Sequence, residues 1–319
     1  MTASDSLRDL PDDLTGRLRA AGLDPQAVRA VALAAVAEDL GGGVDVTSDA
    51  TVPESQRATA RFVARKAGVV AGLPVVEAVL HLVAGPNVEV GAHAQDGDRV
   101  RPGDVLLVAT ARTRALLTAE RTALNLLTHL SGVATLTRQW VDAVAGTGAE
   151  IRDTRKTLPG LRALEKYAVR CGGGTNHRMG LWDAALVKDN HVVAAGGVAE
   201  AFRAVRAADA ALPVEVECDT VAQVAEAVDA GADLVLCDNM PPERLAEAVA
   251  VTAGRARLEA SGALSLAVAR QVAETGVDYL AVGALTHSAP ALDIGLDLDA
   301  RPPGEETTQP TTTGRKGRD

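Results

Sequence analysis

Large aromatic side chains are nearly missing: two Trp, two Tyr and two Phe are all that 319 residues contain. Ala, Val and Leu must therefore fill the core. With 47% hydrophobic and 23% charged residues, the balance is that of an ordinary soluble globular protein. Cysteine is as scarce. Cys171, Cys218 and Cys237 are odd in number, widely spaced and form no CxxC. That argues against disulfides and a zinc site and points to a reducing compartment. No run approaches the ~18 continuous apolar residues of a membrane span. The opening MTASDSLRDLPDDLTGRLRA is acidic and lacks the apolar stretch of a signal peptide. A cytoplasmic enzyme or binding protein, with no membrane association, is the expectation.

Several catalytic signatures are also absent. There is no GxxxxGK[ST], no GxGxxG, no HExxH and no GxSxG, which removes P-loop, dinucleotide-binding, zincin and nucleophile-elbow readings. DGDRVRPGDVLLVA looks like the hairpin of a biotinyl or lipoyl carrier. Such a carrier needs a lysine at the tip, and none occurs between Lys66 and Lys156.

What is present is a basic island. From Arg152 to His191 there are eight Lys or Arg against four acids, in a chain of formal net charge −10. Such a patch in an acidic protein points to an anionic small molecule rather than nucleic acid. Arg162, Lys166 and Arg170 share an i, i+4, i+8 stripe and read as a solvated helix face. Arg155 and Lys156 follow a short strand, Arg178 follows Gly-Gly-Gly and Lys188 ends another strand, where α/β proteins keep their chemistry.

The length suggests about two domains. Residues 1–24 read as a flexible lead-in. A helix comes next, with Asp24 as its cap and Pro25 at its first position. Strands are expected over 60–65, near 87–92 and over 105–111, with a helix over 74–84. In the helix after Thr113, Arg114, Thr118, Arg121, Asn125 and Thr128 form one polar stripe, either solvated or lining an anion site. From residue 149 strands recur at 149–154, 184–188, 213–218, 233–237, 256–260 and 278–282 with helices between, so the sheet should be parallel and the architecture an α/β barrel short of eight strands. The alternation over 292–298 predicts one more strand, returning to the first domain's sheet. The Pro/Thr/Gly-rich 301–319 reads as a disordered tail.

Polar residues gather at the ends of these strands: Thr154-Arg155-Lys156, Lys188, Glu217, Asp238, Ser261-Gly262 and Gly283-Ala284. In a barrel that is the ligand face. Glu215 and Glu217 share one face of a buried strand and need cations; Lys156 and Lys188 are the expected partners. The glycine turns suit either a phosphate at helix N-termini or close packing. His177 and His191 lack metal-ligand spacing and read as positioning groups.

TRKTLPGLRALEKYAVRCGGGTNHRMGLWDAALVKDNH, with AERTALNLLTHLSGVAT before it and EVECDT, LCDNM, LEASG and YLAVGALTHSAPALDIGLDL after it, closely resembles the quinolinate phosphoribosyltransferase family over residues 25–298. The resemblance implies an N-terminal α/β sandwich domain (25–130), an incomplete α/β barrel carrying the active site (131–290) and a returning strand (291–300). It implies a homodimer with shared sites, acting on quinolinate and phosphoribosyl pyrophosphate with Mg²⁺. Arg121 matches the arginine contributed across the dimer. Arg155, Lys156, His177, Arg178 and Lys188, with Thr154, match the cluster for the two carboxylates and the diphosphate. Glu217 and Asp238 match the pair for the ribose hydroxyls and Mg²⁺, and with Lys156 are the implied catalytic residues. Ser261, Gly262 and Ala263, with Val282, Gly283 and Ala284, match the 5′-phosphate loops; Ala263 departs from the Asn or Gly usual there. A related phosphoribosyltransferase acting on another base, and a non-catalytic anion-binding protein, are the alternative readings.

Overall fold

The computed structural model describes residues 9–299; the first eight residues and those from 300 onward, including the tail expected to be disordered, lie outside them. The first part of the chain runs α1 (Asp12–Ala20), α2 (Pro25–Leu40), α3 (Val46–Thr51), β1 (Arg57–Ala64), β2 (Gly68–Val69), α4 (Leu73–Ala84), β3 (Glu89–Ala92), β4 (Arg99–Val100), β5 (Val105–Arg112) and α5 (Thr113–Ala143). The second runs β6 (Glu150–Arg152), α6 (Arg162–Cys171), β7 (Ala185–Val187), α7 (Asp189–Ala195), α8 (Val198–Ala208), β8 (Val214–Cys218), α9 (Val221–Asp229), β9 (Leu234–Asp238), α10 (Pro242–Thr252), β10 (Arg257–Ser261), α11 (Leu266–Ala273), β11 (Tyr279–Ala281), α12 (Ala284–His287) and β12 (Ile294–Asp299).

Local chemistry sets several boundaries. α2 starts at Pro25, with the Asp24 carboxylate accepting the Gln26 N–H at 3.0 Å, and stops at Gly41 in the left-handed region. Residues 12–20 are not a mobile lead-in. They form α1, whose Leu14 and Leu18, one turn apart, are fully buried, and Arg17 reaches Glu77 of α4 at 2.7 Å. Burying two leucines stabilises the segment by several kcal/mol, roughly 1.5–3 each, which an acidic composition does not reveal.

The first sheet has strand order β12-β1-β5-β3, every pair antiparallel. Ala60, Phe62 and Ala64 of β1 are fully buried while Arg61 points to solvent. α5 is the spine between this sheet and the barrel, burying Leu116, Ala119, Ala123, Leu127 and Leu130. Gly132 admits the return of the chain: a Cβ there would lie 2.2 Å from the Pro290 carbonyl oxygen. Just beyond, the Leu292 N–H donates to the Thr128 carbonyl at 2.9 Å, and β12 joins β1.

The second sheet has order β6-β11-β10-β9-β8-β7, all parallel. β6 and β7 are its two edges. A one-residue bridge between Arg152 and Thr175 lies on the outer side of β6. Ile151, Val216, Cys218, Val235, Cys237, Leu258, Ala260 and Leu280 are buried on the helix-covered face. Alternation then aims Arg152, Glu215, Glu217, Asp238, Glu259 and Tyr279 into the barrel interior.

Candidate active site

The site is built at the carboxyl ends of the barrel strands from two loops. The first leaves β6 and carries Asp153 through Leu158; the second leaves Gly172-Gly173-Gly174 and carries Asn176 through Asp183. Glycine is required where the second loop starts. A Cβ on Gly172 would lie 2.5 Å from the Ala134 carbonyl, and one on Gly174 would lie 2.9 Å from both Thr137 and Val169.

Both loops are held from below by α6. Lys166, fully buried, forms an ion pair with the equally buried Asp153 and donates to the His177 carbonyl at 2.9 Å. Asp153 also accepts the His177 N–H at 2.9 Å. Burial pushes the Asp153 carboxyl up and the Lys166 ammonium down, each opposed by the partner's charge. Arg162 donates to Thr157 Oγ1 at 3.0 Å and to the Met179 carbonyl at 3.1 Å. Arg170 donates to Asn176 Oδ1 and to the Ala21 carbonyl, both at 2.7 Å. The helical stripe expected to be solvated is instead a row of clamps. Glu165, on the same helix and fully buried, accepts the Leu158 N–H at 3.1 Å and faces His129 Nε2 at 2.8 Å.

Beneath the loops the barrel interior is polar. Arg152 pairs with Glu259 at 2.6 Å and stacks on the Tyr279 ring, 4.5 Å from its centre, while Arg257 sits 5.4 Å from the same ring. His177 Nδ1 accepts the Arg178 N–H at 2.7 Å, so its proton is on Nε2, which lies 2.6 Å from Glu215 and 3.5 Å from Glu259. Both ring nitrogens of His177 are thereby engaged within the chain. The partner of Glu215 is this histidine and not Lys156. Burial, then the neighbouring Glu215 charge, push the Glu259 carboxyl up to about 7 against the pull of His177 and Arg152. Sequence reasoning did not single out Arg152 or Glu259; their inward register in short strands was the available signal.

Above this floor stand cations with too few partners. The Nε atoms of Arg155 and Arg178 are buried without a hydrogen-bond partner. Arg178 is anchored by Nη1 on the Ala184 carbonyl at 3.0 Å. Burial first, then Arg155, pull its guanidinium below the ordinary value. Two neighbouring cations with unsatisfied buried donors describe an anion site. Lys156 is next in the chain to Arg155 and runs over Gly283, where a Cβ would lie 2.9 Å from its Cδ. Thr154 Oγ1 accepts the Lys156 N–H at 3.0 Å, and Thr286 Oγ1 donates to the Lys156 carbonyl at 2.8 Å.

The opposite wall carries the acids. Lys188 pairs with Glu217, and its N–H donates to His191 Nδ1 at 3.0 Å. Asp238, in register with Ser261 on the next strand, accepts from the Asn239 amide at 2.7 Å. Asn239 takes a positive φ of 52° and fills the space over Gly262, where a Cβ would lie 2.3 Å from its Oδ1. Ser261, Gly262 and Ala263 leave β10, and Val282, Gly283 and Ala284 connect β11 to α12. Arg121 is not brought to this group by any contact. It is exposed on α5 and has no partner among the described residues, whereas its stripe neighbours Arg114 and Thr118 bond to Asp49 and Asp45.

Comparison with known proteins accounts for nearly the whole fold. Residues 45–131 match the family model described as quinolinate phosphoribosyl transferase, N-terminal domain, and residues 133–297 the corresponding C-terminal domain. The chain is 54% identical over 268 residues to the nicotinate-nucleotide pyrophosphorylase [carboxylating] of Mycobacterium leprae (strain TN), covering 83% of this chain and 94% of that one. It is 42% identical over 262 residues to the probable enzyme of that name from Bacillus subtilis (strain 168), covering 82% and 90%. The crystal structure of NadC from Streptococcus pyogenes superposes with a TM-score of 0.84 at 39% identity, covering 88% of this chain and 99% of that one. The chain belongs to the quinolinate phosphoribosyltransferase family.

Proposed function

We propose that this chain transfers the phosphoribosyl group of phosphoribosyl pyrophosphate to quinolinate with decarboxylation, giving nicotinate mononucleotide, CO₂ and pyrophosphate, a step of NAD biosynthesis. The observation that carries the reading is the pair of unsatisfied arginines. Arg155 and Arg178 offer planar forks to an aromatic ring bearing two adjacent carboxylates. Lys156 and Lys188 add positive charge beside them, and the acids Glu217 and Asp238 stand at the ends of β8 and β9.

This charge pattern dictates the chemistry. The pyridine nitrogen attacks the anomeric carbon as its bond to the diphosphate breaks, and the ribosyl centre becomes cationic. Glu217 and Asp238 stabilise that charge and hold the ribose hydroxyls, while Lys156 and Lys188 stabilise the departing diphosphate. The ring nitrogen, now positive, accepts the electron density left when the adjacent carboxylate leaves as CO₂, and the ring carbon takes a proton in its place. The Ser261–Ala263 and Val282–Ala284 turns hold the 5′-phosphate through backbone N–H groups. The hard oxygens of Glu217 and Asp238 suit Mg²⁺, which when bound neutralises diphosphate charge. Arg121 of a second copy of the chain completes the acceptor site in a homodimer. It has no partner among the described residues of its own chain, and the large apolar side chains of Leu181, Trp182 and Val193 stand exposed at 73%, 78% and 81%. A cytoplasmic setting fits the three free cysteines.

The test is quinolinate-dependent CO₂ release with phosphoribosyl pyrophosphate and Mg²⁺, with nicotinate and nicotinamide as competing acceptors. Turnover confined to quinolinate is expected. Preference for another base, or no turnover by folded protein, overturns the reading.

A further inference from the structure

Three cations on one face of α6 each reach across to the loops above. Lys166 joins Asp153 of the first loop to the His177 carbonyl of the second. Arg162 joins Thr157 of the first to the Met179 carbonyl of the second. Arg170 holds Asn176 of the second loop to Ala21 of the first domain. The loops so joined carry Arg155 and Arg178, whose forks have to meet one rigid, planar ligand. A carboxylate pair of fixed spacing is bound well only by arginines of fixed spacing, because binding energy otherwise goes into ordering the loops.

We infer that Arg162 is a positioning residue for the dicarboxylate acceptor: bridging Thr157 and Met179, it sets the distance between the two arginine-bearing loops. It is partly exposed and bonds to neither member of the buried Lys166–Asp153 pair, so its removal leaves that pair in place. The guanidinium is needed for its shape. Nε and Nη1 are fixed in one plane and diverge to two acceptors on different loops, a geometry that an ammonium on a flexible stem does not hold.

The inference rests on the proposed function, and the experiment separates the two. Quinolinate and phosphoribosyl pyrophosphate binding are measured by calorimetry for the wild type, Arg162→Ala, Arg162→Lys, Thr157→Val and Arg162→Ala/Thr157→Val. Amide exchange over 154–158 and 177–183 is tracked without ligand. Loss of two hydrogen bonds should weaken quinolinate about tenfold in Arg162→Ala, and loss of one about threefold in Thr157→Val. Arg162→Lys should resemble Arg162→Ala despite its charge. The double variant should bind no worse than Arg162→Ala, since both changes break one connection. Phosphoribosyl pyrophosphate should be affected less, and exchange should quicken in both loops at once. Restoration by lysine, equal losses for both substrates, additive losses, or unchanged loop exchange would each overturn the positioning role. Wild-type protein that ignores quinolinate would instead refute the functional reading, with loop exchange still deciding the role of Arg162.

Discussion

Lys166 and Asp153 form an ion pair from which solvent is wholly excluded, and the pair lies directly beneath the loop that carries Arg178. Its energetic signature is distinctive. Removing one member leaves an uncompensated buried charge, at a cost of about 3–5 kcal/mol, whereas removing both charges costs much less. Lys166→Met alone should therefore lower unfolding free energy by that amount, and adding Asp153→Asn should recover part of it. Urea denaturation of the three proteins checks this; additive losses would show that the charges are not coupled.

Lys156 should matter for rate and hardly at all for stability. Lys156→Ala is expected to reduce turnover on the order of 10²–10³-fold, with unfolding free energy within about 0.5 kcal/mol of wild type. Gly283→Ala gives an independent check. A Cβ there would sit 2.9 Å from Lys156 Cδ, so the lysine must swing away while the backbone, already helical at φ −64°, is unstrained. Steady-state kinetics of Gly283→Ala should show the same kind of loss; normal turnover would contradict an aimed Lys156.

Glu259 makes stability pH-dependent in a defined direction. Its carboxyl is pushed up from 4.5 to about 7 by burial and by Glu215. A folded-state value above the unfolded one means the contribution is fully present below about pH 4.5 and lost as pH rises through 7. Glu259→Gln, which mimics the protonated form, should remove that dependence. Relative to wild type the variant should gain stability between about pH 5 and about pH 8. Parallel curves for the two proteins in urea titrations would show that Glu259 is ionised throughout.

Arg121 and Lys188 should complement between subunits. If the proposed homodimer shares its sites, each single alanine variant is expected to be nearly inactive, because every site would lack one cation. Under subunit exchange half the dimers become mixed, and each of these holds one intact site, so activity should approach about a quarter of wild type. An exchanged mixture that stays inactive, with mixed dimers demonstrated by mass spectrometry, would leave Arg121 a solvated residue of α5.

The sequence was most legible where one local pattern had one structural meaning. Alternating strands and helices after residue 149 lead directly to a parallel sheet, and with it to Lys156, Lys188, Glu217 and Asp238 at strand ends. Asp24-Pro25 marks the start of α2 for the same reason. Legibility failed where the deciding partner is distant. The spacing of Arg162, Lys166 and Arg170 is the same whether water or protein lies across from it, and what lies across is a loop delivered by Gly172 and Gly174 packing against α5. Leu14 and Leu18 were overlooked likewise, because their cover is α4, some sixty residues away. The spacing of His177 along the chain carried no hint of its neighbours, because Glu215 and Glu259 lie on other strands and are brought to it only by the curvature of the barrel.

The pairing of β12 with β1 has a consequence for how the protein is made. β1 is synthesised early and pairs with β5 on one side, but its other side waits for residues 294–299. Until the ribosome has delivered the entire barrel, β1 presents a free edge of unpaired backbone groups, a template for pairing with another chain. The period of greatest exposure to misassociation thus spans the synthesis of the second half, and it closes only when the last strand emerges.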